Sequence, residues 1–98
     1  MDDRCHVQPI DKSPSIEERR ERAMAVLAVD GMGCPNCVQR VRNGLLQVYG
    51  VLTADVDLDT QRALIVYNPT LVAPSDLEQA VVVTGRQARH DYRAHVLT

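Results

Sequence analysis

Between Met24 and Val96 the spacing of apolar residues switches repeatedly between two periods, and each switch marks an element. The run "MAVLAVD" (Met24 to Asp30) is short and apolar, and Gly31 ends it, so it predicts a strand. Val38, Val41, Leu45 and Val48 then recur at steps of three, four and three, the single apolar stripe of a helix. Gln39, Arg40, Arg42, Asn43 and Gln47 fall outside that stripe. Pro35 suits the first helical turn and Gly50 the position just past the C-terminus. Gly44 weakens the helix interior by about 1 kcal/mol relative to Ala. Ala54, Val56 and Leu58 alternate with Asp55, Asp57 and Asp59, which predicts a strand with one wet face. A turn near Thr60 and Gln61 leads to "RALIVY", a further strand stopped at Asn68-Pro69. "PSDLEQAVVVTG" places Ser75 and Glu78 in capping-box spacing and closes at Gly85. It predicts a helix with Leu77, Val81 and Thr84 inward and Ala80 beside them. "ARHDYRAHV" predicts a last, polar strand at a sheet edge.

The order strand, helix, strand, strand, helix, strand describes two βαβ halves. It predicts an α+β, ferredoxin-like sandwich, with a four-stranded antiparallel sheet and two helices on one face. Residues 1–23, "MDDRCHVQPIDKSPSIEERRERA", break the pattern with dense charge, Pro9 and Pro14. They read as a charged arm outside the core, leaving residues 24–98 as one domain. Within the arm, Ser15 and Glu18 have capping-box spacing and allow a short helix over residues 16–23; the alternative is a solvated arm.

Composition narrows the function. The chain has no Trp, no Phe and three Tyr, so its core is built from Val, Leu, Ile, Ala and Met. A net charge of -2 and the lack of stacking aromatics argue against a nucleic-acid partner. No run approaches the roughly 18 apolar residues of a membrane span, and the first residues lack the apolar core of a secretory signal. A cytoplasmic location and no membrane insertion are therefore expected. In that reducing compartment, a CxxC pair points to metal binding or redox chemistry rather than a structural disulfide.

Cys34 and Cys37 form such a pair in "GMGCPNC". With the helix starting there, both sulfurs lie beside its unpaired N–H groups and the positive end of its dipole, which favours thiolate. Gly31 and Gly33 let the loop take unusual dihedrals and bring its backbone close to whatever is bound. Met32 between them suits either an apolar anchor or a thioether ligand.

"GMGCPNC", after a strand and before a helix, resembles the GMxCxxC motif of heavy-metal-associated domains, the copper-chaperone-like modules also found in metal-pumping P-type ATPases. The resemblance extends through "GVLTADVDLDTQRALIVYNP" and spans about residues 24–96. It implies a ferredoxin-like fold, Cys34 and Cys37 as metal ligands and Met32 as loop anchor. The family commonly carries an aromatic or a Lys near the site, in the loop after the second helix; here Gly85 is followed by Arg86, a candidate cation beside the metal thiolates.

Two thiolates and no further obvious ligand suit Cu(I). Zn(II) wants four ligands, which Cys5, His6, His90 or His95 would have to complete, and Hg(II) shares the soft chemistry of Cu(I). Cys5 and His6 are thus candidate auxiliary ligands. The expectation is a non-enzymatic Cu(I) metallochaperone, monomeric or bridged into a dimer by metal. It would pass copper to a P-type ATPase or another metal-binding domain, with Arg40, Arg42 and Arg86 as a basic docking rim. The rival from another class is a thiol–disulfide oxidoreductase, which also sets CxxC at a helix start.

Overall fold

A computed structural model describes residues 7–98. The strands are β1 (Ala23–Asp30), β2 (Val51–Asp57), β3 (Arg62–Tyr67) and β4 (Arg93–Val96); the helices are α1 (Pro35–Leu46) and α2 (Pro74–Gln87). Their order along the chain is β1-α1-β2-β3-α2-β4, and the sheet order is β2-β3-β1-β4 with every neighbouring pair antiparallel. This is the ferredoxin-like sandwich that the alternating periods predict. No helix among the described residues is long and apolar enough to cross a membrane.

The core lies between sheet and helices. Ala25, Leu27 and Val29 of β1 and Ala63 and Ile65 of β3 face Val41 and Leu45 of α1 and Leu77 and Val81 of α2, all buried. The stripe on α1 therefore does what its spacing requires, with Val38 and Val48 half-buried at its ends. Gly44 has a packing reason: a Cβ there would overlap the Thr84 hydroxyl, so its absence lets α1 and α2 approach.

Three local expectations are corrected. The first turn of α2 is closed by Asp76, whose carboxylate accepts the Ala73 N–H at 2.9 Å, with Pro74 as the first helical residue. Glu78 instead accepts the Val96 N–H at 2.8 Å and ties β4 to the helix. Gly85 does not end α2, which continues to Gln87; it is buried inside the helix because Tyr92 and the His90 carbonyl occupy the space of a side chain. Asn43, outside the apolar stripe, is nevertheless buried, because the N-terminal arm covers that face of α1.

The arm is packed against the domain. It runs parallel to α1, held by bonds between residues far apart in sequence. Lys12 Nζ donates to the Val48 carbonyl at 2.9 Å, and Arg42 donates to the Ile10 carbonyl at 3.1 Å. Asn43 accepts the Ile10 N–H at 3.0 Å and donates to the Gln8 carbonyl at 2.6 Å. The Val7 N–H donates to Asn36 Oδ1 at 3.2 Å. The short helix expected over residues 16–23 is a single 3-10 turn, Glu18–Arg20. Its capping box is present, with Ser15 N–H to Glu18 Oε1 at 2.8 Å and Glu18 N–H to Ser15 Oγ at 3.1 Å.

Glu18 is the buried charge of this region. Its carboxylate accepts the Gly50 N–H at 2.7 Å and pairs with Lys12 Nζ at 2.9 Å. Burial pushes its pKa up, but the Gly50 and Ser15 N–H groups and the Lys12 ammonium outweigh that and hold it at about 2.

Candidate metal centre

The strand–loop–helix passage from β1 to α1 builds the site. Gly31 turns the chain at φ +100, and a Cβ there would lie 2.6 Å from the Asp91 carbonyl oxygen, so glycine is required by both torsion and space. Met32 is only 5% exposed and belongs to the core, and its carbonyl accepts Gln61 Nε2 at 3.1 Å. That burial packs the loop against the core. Gly33 has open space around its Cα, so the loop surface there is bare. Cys34 is the extended N-cap residue of α1, Pro35 opens the helix, and Cys37 sits in its first turn.

The sulfurs of Cys34 and Cys37 are 3.5 Å apart. Cys34 is exposed and Cys37 is buried. One thiol is thus reachable from solvent while the other is fixed by the fold. Burial pushes the Cys37 thiol up; the Tyr92 hydroxyl, the Gly33 N–H and Cys34 outweigh it, and the pKa falls from 9.0 to about 7. Behind the pair, Arg40 donates to the Tyr92 hydroxyl at 3.0 Å. Burial pushes the Tyr92 phenol up, and its bond toward Cys37 pushes it further, so it remains a protonated donor. Burial pushes the Arg40 pKa down, but its bond to Tyr92 and the charge of the ionised Tyr92, Cys37 and Cys34 outweigh that and raise it.

Tyr92 was not among the residues singled out from sequence. It is 1% exposed and precedes β4, more than fifty positions from the motif, so no local spacing links it to the cysteines. A signal existed: it is one of only three aromatic residues, in the loop where the resemblance called for one. The cation that faces the thiols is Arg40 rather than Arg86. Arg86 is exposed on the last turn of α2, and its side chain takes no hydrogen bond or ion pair among the described residues. Arg40 and Arg42 are committed to Tyr92 and to the arm, so they do not form a free docking rim. Cys5 and His6 lie outside the described residues. His90 and His95 are exposed, with His90 stacked on Tyr92 at 5.4 Å between ring centroids. Among the described residues no group of three Cys, His, Asp or Glu side chains gathers to hold an ion.

Fold and site together define a small domain that offers a dithiol at a helix N-terminus, with a hydroxyl and a guanidinium behind it. The heavy-metal-associated domain family model matches residues 26–87, and the chain belongs to that family. It is 33% identical over 75 residues to a copper-transporting ATPase 2 of Rattus norvegicus, covering 76% of this chain but 5% of that protein. It is 34% identical over 60 residues to the copper chaperone CopZ of a Staphylococcus aureus strain, covering 61% of this chain and 88% of that one. Among solved structures, a copper-binding domain from HMA7, a P-type ATPase, superposes with a TM-score of 0.69 at 31% identity, covering 76% of this chain and 93% of that chain. The CopZ metallochaperone superposes at 0.66 with 29% identity, covering 74% and 100%.

Proposed function

We propose that this chain binds Cu(I) as cargo between Cys34 and Cys37 and passes it to a partner domain by thiolate exchange. The observation that carries the reading is the asymmetric sulfur pair: 3.5 Å apart, one buried and one exposed, on an open loop. Two soft donors, with no third Cys, His, Asp or Glu side chain gathered beside them among the described residues, suit a low-coordinate soft ion, whereas zinc wants four ligands. The copper named for both kinds of relative favours Cu(I) over Hg(II).

The residues divide the work. Cys37, with its pKa near 7, gives up its proton readily when metal arrives. Tyr92 and Arg40 stabilise the negative charge of a bis-thiolate complex, and Arg40 does so without titrating. Cys34, exposed at the N-cap, is the sulfur an incoming thiolate replaces first. The site binds and releases without catalysing a reaction. The fitting partner is a heavy-metal-associated domain of a copper-transporting P-type ATPase, in a reducing compartment such as the cytoplasm.

The test loads the reduced chain with Cu(I), mixes it with such a domain, and separates the two. Copper distributed between both proteins within the mixing time supports the reading; copper that stays with the loaded chain while free chelator removes it overturns the transfer role.

A further inference from the structure

Both helices pack on one face of the sheet, and the other face is open. An antiparallel sheet ordinarily turns polar residues to water on such a face. The two central strands here do not. Met24, Val26 and Ala28 point outward from β1, and Leu64 and Val66 from β3, with Met24 paired to Val66 and Val26 to Leu64. Leu97, just past β4, extends the patch, its N–H donating to the Val26 carbonyl at 2.7 Å. Met24, Leu97 and Leu64 are 62%, 47% and 38% exposed, so the patch lies open among the described residues. Unlike charges bound it. Asp55 and Asp57 point outward from the edge strand β2, and Arg93 and His95 from the opposite edge strand β4. The register sets Asp57, Arg62, Ala28 and His95 in one row across the sheet.

We propose that this face binds a second copy of the chain, sheet against sheet, about a two-fold axis running along the strands. Such an axis lays β2 of one copy over β4 of the other, and β3 over β1. Asp55 and Asp57 then face the second copy's Arg93 and His95 at both edges. Leu64 and Val66 face its Val26 and Met24. Arg62 lies over its Ala28, whose small side chain leaves room for the guanidinium stem. The pair that Arg93 makes with Asp91, 3.4 Å long and exposed on both sides, exchanges readily. A two-fold axis across the strands would lay β2 on β2 and acid on acid, so the charges select one arrangement. Four strands wide and about six residues long, the face measures roughly 20 Å by 20 Å. That is at the low end for a specific interface, so the dimer is weak and reversible. Both β1–α1 loops lie beyond the same end of the stacked sheets, and the association needs neither metal nor the cysteines.

The experiment is sedimentation velocity on the full, reduced, metal-free chain at low salt, from about 10 μM to about 1 mM. The sedimentation coefficient is expected to rise with concentration toward that of a dimer, and to rise less when salt is added. Leu64→Asp, and separately Leu97→Asp at a position beyond the strands, are each expected to raise the dimer Kd about tenfold or more, with folding confirmed by circular dichroism. The Cys34→Ser/Cys37→Ser variant is expected to dimerise as the unaltered chain does. Two charge variants test the arrangement itself: Asp55→Lys/Asp57→Asn, which keeps an acceptor for the Asp59 N–H, and Arg93→Glu/His95→Glu. Each alone is expected to be monomeric, because its two edges now match in sign or lose their attraction. Mixed in equal amounts they are expected to form dimers again, since acid faces base at both edges only in the mixed pair. A monomer throughout the concentration range would overturn the proposal and leave the face to a different protein. So would dimers that survive both Asp substitutions, dimers that vanish in the cysteine variant, or charge variants that gain nothing on mixing.

Discussion

The two ends of α1 each hold a buried acid against its burial, and they do so for opposite ends. Near the C-terminal end, Glu18 is bonded by the Gly50 N–H at 2.7 Å, the Ser15 N–H at 2.8 Å and Lys12 at 2.9 Å. At the N-terminal end, Cys37 is held by the Tyr92 hydroxyl and the Gly33 N–H beside the Cys34 sulfur. In both places hydrogen bonds more than offset desolvation, giving values of about 2 and about 7. The difference is in what remains free. Glu18 is saturated by protein donors and by a full opposite charge, so it locks the arm to the domain. Among the described residues no full opposite charge is bonded to the dithiol, and Cys34 is exposed, so its bonding capacity is left for an ion. Saturation makes a structural acid; incompleteness makes a binding site.

The comparison breaks most clearly at the saturated end. Glu18→Ala strands the Gly50 N–H and the Lys12 ammonium and is expected to lower stability by about 3 kcal/mol, read by urea unfolding. Cu(I) binding by the folded fraction should persist. The pH dependence has a definite sign: the folded pKa of about 2 lies below the ordinary 4.5, so Glu18 contributes stability above about pH 4.5 that is lost as pH falls toward 2. Unfolding curves across that range should show this slope in the unaltered chain and a flatter one in Glu18→Gln.

At the open end, Gly31→Ala sets a Cβ 2.6 Å from the Asp91 carbonyl in a positive-φ position. A loss of about 2 kcal/mol is expected, with weaker metal binding because the segment carrying Tyr92 must shift. Thermal unfolding and chelator competition on one sample check both. Tyr92→Phe removes a hydroxyl donor and leaves the ring. The Cys37 pKa should rise above about 7, seen as an alkylation rate profile displaced to higher pH, with only a small change in stability. Arg86→Ala should have the smallest effect, within about 0.5 kcal/mol of stability and without change in Cu(I) affinity, since its side chain touches neither end.

What could be read from the sequence was whatever depends on near neighbours. The Val38, Val41 and Leu45 stripe, the alternation through Ala54 and Val56, and the turn at Gln61 are local patterns, and two βαβ halves leave few ways to pair. The cysteine pair was legible for the same reason: three positions within one helical start bring two sulfurs together. The remainder depends on contacts across the fold. Asn43 sits on the polar side of α1 and is buried only because Gln8 and Ile10 return over it. Tyr92 reaches Cys37 only once β4 pairs with β1. Arg86 was expected beside the thiolates because it follows Gly85, read as the end of α2, where the resemblance has an aromatic or a Lys; α2 instead continues to Gln87, and Gly85 is a packing residue under Tyr92.

The most direct measurement of the central claim is a Cu(I) competition titration of the reduced chain beside its Cys34→Ser/Cys37→Ser variant, with both confirmed folded by circular dichroism. The account predicts roughly one Cu(I) per chain for the unaltered protein and none retained by the variant at the same chelator concentration. Equal copper retention by the two would contradict it.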